Sequence, residues 1–387
     1  MTLVHPGLQN RPVYLDYNAT TPVDPRVVEA MVPYLADGFG NPSSVHLYGA
    51  EPKAALECAR TQVAALIGAE AAEVVFVGSG SEADNLAVRG AVLAVGYDLP
   101  QVVTQVTEHP AVLEACQALA RLHGVEVTYL PVDRDGLVSP AALAAALTER
   151  TALVSIMAAN NETGVLQPIS ELARITRASG ALFHCDAAQA VGKVPLDIEE
   201  LDVDLLTVVG HKMYAPKGIA ALYVRAGVDL EPLVYGGGQE GGLRAGTENV
   251  ALAAALGAAA ELAAQELAAG AHLRIAEQRD RLHNRLAESL PGRVRLNGPL
   301  HGRLPNTLNI SIDGIMGRDL LTAVPGIAAS TGSACHSGDS TPSPVLRAMG
   351  LDDARGLGAV RLSLGRWTTP ADLDLAAEQL ITVARSA

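Results

Sequence analysis

Between residues 73 and 209 short apolar runs alternate with alanine-rich stretches of helical length, and this alternation constrains the fold most. Runs 73–78 (EVVFVG), 101–104 (QVVT), 125–130 (VEVTYL), 152–157 (ALVSIM), 181–185 (ALFHC) and 205–209 (LLTVV) read as buried strands. Segments 52–67, before the first run, and 83–94 and 111–123, between runs, read as helices. Such alternation predicts an α/β protein with a mixed, mainly parallel sheet covered by helices on both faces. Ligands of such sheets sit in the loops after the strands. Because aromatics are only 3% of residues, Ala, Leu and Val must fill the core.

The pattern changes near Glu248. Residues 249–289 read as nearly continuous helix, ended by Pro291-Gly292. Strands at 307–312 and 360–364 and a final helix at 371–386 then suggest a smaller C-terminal α+β domain. The expected division is a large domain over 16–262 and a small domain made of 1–15 and 263–387. The chain has 387 residues and a net charge of −14, which disfavours nucleic acid as a main partner. Its start lacks a secretory signal, and the stretch 250–269 is interrupted by Glu261, Gln265 and Glu266, so no membrane association is expected. Cys58, Cys116, Cys185 and Cys335 are far apart, without metal-ligand spacing. That suits reduced thiols in a cytoplasmic protein and no metal; Cys58 and Cys116, on helices, are expected to be structural.

Two local patterns carry chemistry. Asp186-Ala-Ala-Gln189 ends one strand run and Gly210-His211-Lys212 ends the next, so a carboxylate and an amine can face one ligand from opposite sides. Pyridoxal phosphate (PLP) needs that pair: a lysine to tether it and an acid to hold its ring nitrogen protonated. Gly78-Ser79-Gly80-Ser81 follows a strand and opens a helix, offering N–H groups and a hydroxyl to a phosphate or serving only as a capped turn. His109 and Asn161 follow two further strand runs, where an imidazole can stack on a ring and an amide can bond its hydroxyl. The second pattern is Ser330-Thr-Gly-Ser-Ala-Cys335-His336-Ser-Gly338, whose small residues suit a reactive thiol. Arg361 interrupts the apolar run VRLSL and suits either a substrate carboxylate or a structural ion pair. The Gly-rich stretch 235–249 reads as a surface loop.

Nearly end to end, the chain resembles the cysteine desulfurases, fold-type I PLP enzymes of the class V aminotransferase group. The likeness rests on Tyr14-Leu-Asp-Tyr-Asn-Ala-Thr-Thr-Pro22, Gly40-Asn-Pro-Ser-Ser44, Asn160-Asn-Glu-Thr-Gly164, Gly210-His-Lys212, Arg244-Ala-Gly-Thr-Glu-Asn249 and Gly332-Ser-Ala-Cys335, in that order. The resemblance implies that Lys212 tethers PLP, Asp186 pairs with the ring nitrogen and His109 stacks on the ring. Asn161 and Gln189 would bond the ring oxygen. Gly80, Ser81, His211 and Thr247, the last from a second subunit of a homodimer, would take the phosphate. Arg361 would bind the carboxylate of L-cysteine. Cys335 would take its sulfur as a persulfide, leaving alanine, and pass it to an acceptor protein such as an iron–sulfur scaffold or to tRNA thiolation.

Val209, Cys335-His-Ser337 and Pro342-Ser-Pro-Val-Leu346 are closer to the selenocysteine lyases. An ordinary class V aminotransferase would not need the thiol, and a PLP-binding scaffold would not need the full residue set.

Overall fold

The computed structural model describes residues 5–96, 100–331 and 341–387. Its strands are β1 (Val13–Tyr14), β2 (Val74–Val77), β3 (Gln101–Gln105), β4 (Glu126–Leu130), β5 (Thr151–Ser155), β6 (Leu182–Asp186), β7 (Leu205–Val209), β8 (Ala220–Val224), β9 (Val294–Leu296), β10 (Thr307–Ile312), β11 (Ile327–Ala328) and β12 (Ala359–Ser363). Seven form one sheet in the order β2-β8-β7-β6-β5-β3-β4. The pairs β3–β4, β3–β5, β5–β6 and β6–β7 are parallel, and β8 runs antiparallel to both β7 and β2. Both neighbours of β8 therefore point the same way, and the ends of β2, β3, β5, β6 and β7 share one edge of the sheet.

Alternate strand residues feed opposite cores, as a two-residue side-chain period requires. Val74, Phe76, Leu206 and Val208 pack on one face, beneath the helices Leu47–Ile67, Ile169–Ala178 and Val250–Ala268. Val75, Val77, Leu205 and Leu222 pack on the other, beneath Gly80–Ala94 and Pro110–His123. A third apolar cluster joins Leu15 to Leu282, Leu308, Ile310, Leu362 and Leu380, around the antiparallel sheet β12-β10-β9 and the helices Ala271–Ser289 and Pro370–Ser386.

The expected buried strand at 125–130 is instead an edge strand, β4, largely open to solvent because it pairs only with β3. The helix expected over 249–289 is two helices, broken where Gly270 takes a left-handed φ of 70°. Strand β8 lies in Gly218-Ile-Ala-Ala-Leu-Tyr-Val224, an alanine-rich stretch whose neighbours decide its conformation. Val250–Ala268 is the one helix, among the described residues, long and apolar enough to span a bilayer. It lies close against Leu47–Ile67: a Cβ at Gly257 would meet Ala59 Cα at 2.6 Å. Cys58, expected as a structural thiol, is exposed, whereas Cys116 and Cys185 are buried.

Candidate active site

Lys212 closes the short 3-10 turn Gly210–Lys212 that follows β7, and Asp186 ends the adjacent parallel strand β6. Neighbouring parallel strands end side by side, so the two side chains emerge at one point of the sheet edge. The Lys212 amine donates to the main-chain carbonyls of Asn18 (2.6 Å) and Ala19 (2.9 Å). Burial, reinforced by the Arg361 cation and opposed by Asp186 and Asp16, brings its pKa down to about 8. Asp186 is 6% exposed and accepts from the Ala188 N–H at 2.9 Å. Burial pushes its pKa up, while that N–H, His109 and Lys212 pull it back.

His109 caps the helix Pro110–His123, its Nδ1 accepting from the Ala111 N–H at 3.1 Å. An accepting Nδ1 leaves the proton of the neutral ring on Nε2. Burial, partly offset by Asp186, holds its pKa below the ordinary value and keeps the ring neutral. Behind it lies a pair of buried acids. Glu108 accepts from Gln105 Nε2 (2.8 Å) and the Met157 N–H (2.6 Å), and burial together with Asp186 raises its pKa to about 8. Asp84, fully buried, is likewise raised, first by burial and then by Asp186.

At the end of β2 the chain turns through Gly78 and Ser79 into the helix Gly80–Ala94, Ser79 capping it by accepting from the Glu82 N–H. Gly80 and Ser81 thus lie in the first turn, where N–H groups lack partners within the helix. A Cβ on Gly80 would stand 2.6 Å from Val209 Cγ2, so with Val209 in place position 80 has room only for glycine. His211 Nδ1 is 3.1 Å from Thr20 Oγ1, and burial with nearby lysines lowers its pKa to about 4.

Arg361, central in β12 and 2% exposed, donates to Asp16 Oδ1 (2.6 Å) and to the Asn161 carbonyl (3.0 Å). Its buried Nε has no partner among the described residues. The ion pair expected of a structural arginine is therefore present, and one buried N–H is left without a partner among the described residues. The ring of contacts closes through Asn18, whose Nδ2 donates to Thr307 Oγ1 (2.8 Å) and the Asn161 carbonyl (3.1 Å). Gln189 Nε2 donates to the Asn18 carbonyl at 3.0 Å. Asp16, Asn18 and Lys193 were not singled out from the sequence. The first two stand inside the motif Tyr14–Pro22, and Lys193 is four residues after Gln189, in the turns that follow β6.

Thr247 is exposed and is not among the residues gathered around Lys212. Cys335, with His336, lies outside the described residues. Ser330 and Ser343, described residues before and after it in sequence, have these contacts. Ser330 and Arg361 exchange main-chain hydrogen bonds (2.6 and 3.3 Å). Ser343 Oγ donates to Glu162 Oε2 at 2.5 Å, in the turn that also holds Asn161.

These residues fit PLP: a buried acid without a side-chain cation bonded to it, a depressed lysine amine, a neutral imidazole and an open helix start at one sheet edge. Bound there, the coenzyme supplies an electron sink for charge developing at the substrate's Cα.

The aminotransferase class-V family model matches residues 13–375. The chain is 49% identical over 366 residues to the cysteine desulfurase IscS of Anaeromyxobacter sp. (strain Fw109-5), covering 94% of this chain and 90% of that protein. It is 46% identical over 376 residues to the mitochondrial cysteine desulfurase of Drosophila melanogaster, covering 96% and 81%. A solved NifS-like protein superposes with a TM-score of 0.88 at 36% identity, over 97% of this chain and 100% of that one. SspA in complex with cysteine gives 0.81 at 34%, over 92% and 99%. The chain belongs to the aminotransferase class-V family and, within it, to the PLP-dependent cysteine desulfurases.

Proposed function

We propose that the protein converts L-cysteine to L-alanine and receives the sulfur on Cys335. One observation carries this reading: the Lys212 amine, Asp186, neutral His109 and the free Nε of Arg361 converge at one sheet edge. Lys212 would tether the coenzyme and, as a free amine, would take the Cα proton. Its pKa of about 8 leaves a substantial neutral fraction near that pH for taking up the coenzyme. Asp186 balances the charge of the ring nitrogen. His109 covers the ring and offers the Nε2 proton. Gly80, Ser81, His211 and Thr247 of a second subunit hold the phosphate, and Asn161 and Gln189 face the ring oxygen.

Arg361 fixes the substrate carboxylate and so sets the orientation of the side chain that loses its sulfur. In the transfer, the Cβ–S bond of cysteine breaks and an S–S bond to Cys335 forms. The electron pair released with carbon is taken up as a new C–H bond, so cysteine plus thiol gives alanine plus persulfide with no outside oxidant. The sulfur then passes to an acceptor protein, such as an iron–sulfur scaffold, or enters tRNA thiolation.

In this reading residues 16–262 hold the coenzyme, and residues 1–15 with 263–387 carry Cys335. The separate apolar cluster around Leu15, Leu282 and Leu362 supports that division. Exposed Phe39, Val45, Leu47 and Tyr48, with Tyr235 of the Gly-rich loop, support a homodimer, since isolated chains rarely leave such a set uncovered. The proposed setting is the cytoplasm.

The test is Cys335→Ser against wild type, each loaded with coenzyme and given L-cysteine without reductant. The wild type should form alanine and a thiol-reactive persulfide at Cys335, and the variant should bind coenzyme yet form neither at a comparable rate. Wild-type alanine formation by the variant overturns the role of Cys335. A strong preference for selenocysteine over cysteine overturns the substrate.

A further inference from the structure

Gln189 is placed by a residue that has no contact of its own with the reacting groups. Lys193 follows it by four residues through the turns after β6, and its Nζ stands 2.6 Å from Gln189 Oε1 and 3.5 Å from Asn18 Oδ1. The Asn18 amide cannot turn over. Its Nδ2 donates to Thr307 Oγ1 and the Asn161 carbonyl, and its Oδ1 accepts from Asn306 Nδ2 at 2.9 Å. Lys193 is therefore bracketed by two oxygens and must donate to both.

That fixes which end of the Gln189 amide points where. With Oε1 on Lys193, Nε2 donates to the Asn18 carbonyl, the acceptor that also takes Lys212 Nζ at 2.6 Å. Turning the amide over would set an N–H₂ against the Lys193 amine and bring Oε1 against the Asn18 oxygen, leaving both contacts repulsive. Gln189 thus has one orientation, with its donor beside the reactive amine.

We infer that Lys193 is a positioning residue for the coenzyme: it locks the Gln189 amide so that a donor, never an acceptor, faces the ring oxygen next to Lys212. This rests on the proposed placement of Gln189 at that oxygen. A donor there stabilises the deprotonated oxygen, whereas an amide free to turn would present its own oxygen part of the time. Burial, assisted by the cations Lys212 and Arg361, pulls the Lys193 pKa well down, while the two oxygens that bracket its Nζ favour the ammonium, whose three N–H donors and lack of any acceptor serve both contacts.

The experiment is a double-mutant cycle on coenzyme affinity, read by fluorescence titration of the apoprotein with PLP for wild type, Lys193→Met, Gln189→Ala and the double variant. Met keeps the length of the lysine stem, and circular dichroism of each apoprotein reports folding. Each single change should weaken coenzyme binding about tenfold, the scale of one well-made hydrogen bond to a charged acceptor. Lys193→Met should have no further effect once Gln189 is Ala. Both single variants should also move the pH midpoint of the bound chromophore upward by a similar amount. If Lys193→Met costs the same factor in the Gln189→Ala background, Lys193 does not act through the amide and the inference fails. If Gln189→Ala alone leaves affinity and midpoint unchanged, the placement of Gln189 itself is wrong.

Discussion

Arg361 NH2 lies 2.6 Å from Asp16 Oδ1 while its neighbouring Nε, equally buried, has no partner among the described residues. The ion pair and the Asn161 carbonyl hold the guanidinium plane fixed. A carboxylate that reaches this guanidinium meets donors already oriented, which reduces the ordering needed on binding.

Arg361→Leu should therefore still load with coenzyme but raise KM for L-cysteine roughly a hundredfold. Removing one partner of a buried charge pair costs about 2–5 kcal/mol, and Asp16 is left uncompensated. Steady-state kinetics with a matched absorbance spectrum separates this from coenzyme loss.

The same arginine tunes Lys212. Its cation is the second cause, after burial, that brings the amine down to about 8, while Asp186 and Asp16 push it upward. Coenzyme uptake needs the neutral amine, so the uptake rate of the apoprotein should rise with pH through a midpoint near 8. In Arg361→Leu the midpoint should move to higher pH, because a cation is removed and Asp16 loses its partner. Stopped-flow absorbance across the range from pH 6 to about 10, spanning ordinary lysine values, reads both.

Gly80→Ala should destabilise the protein by about 1–3 kcal/mol, since its Cβ would stand 2.6 Å from Val209 Cγ2 and a β-branched side chain has little freedom to yield. Adding Val209→Ala should recover much of that loss by opening the space. Thermal melts of the two single variants and the double variant check the coupling.

Glu108 predicts a pH dependence of stability. Its folded pKa, raised to about 8 by burial and Asp186, exceeds the unfolded carboxylate value. The folded state thus holds the proton that the unfolded state has lost, and stability must fall as pH rises from the unfolded value to about 8. The slope from this group is at most about 1.4 kcal/mol per pH unit. Glu108→Gln keeps an oxygen for Gln105 and Met157 and should flatten that fall. Denaturant titrations at pH 6 and pH 8 compare the slopes; an unchanged slope in the variant rejects the assignment.

The sheet and its functional edge were legible because five of its strands are continuous apolar runs that end in polar, chemistry-bearing turns. Asp186, Lys212, His109 and Gly80 stand directly at those turns, so sequence position alone placed them. β8 went unidentified and the solvated β4 was read as buried for the same reason: pairing partners, not composition, determine whether Ala-Ala-Leu-Tyr-Val is a strand or how much of Glu126–Leu130 is covered. Asp16 and Asn18 escaped notice because their roles depend on contacts with Arg361 and Thr307, some 290–345 residues away along the chain. Lys193 escaped because a single lysine after a glycine carries no pattern; only the Gln189 oxygen beside it gives it meaning.

Reduction of the coenzyme-loaded protein with borohydride, followed by digestion and mass mapping of the labelled peptide, tests the central claim most directly. The coenzyme should be found on Lys212, and Lys212→Ala should lose both the label and the visible chromophore. Label on Lys193 or on any other lysine, or a protein that takes up no coenzyme, would contradict the account.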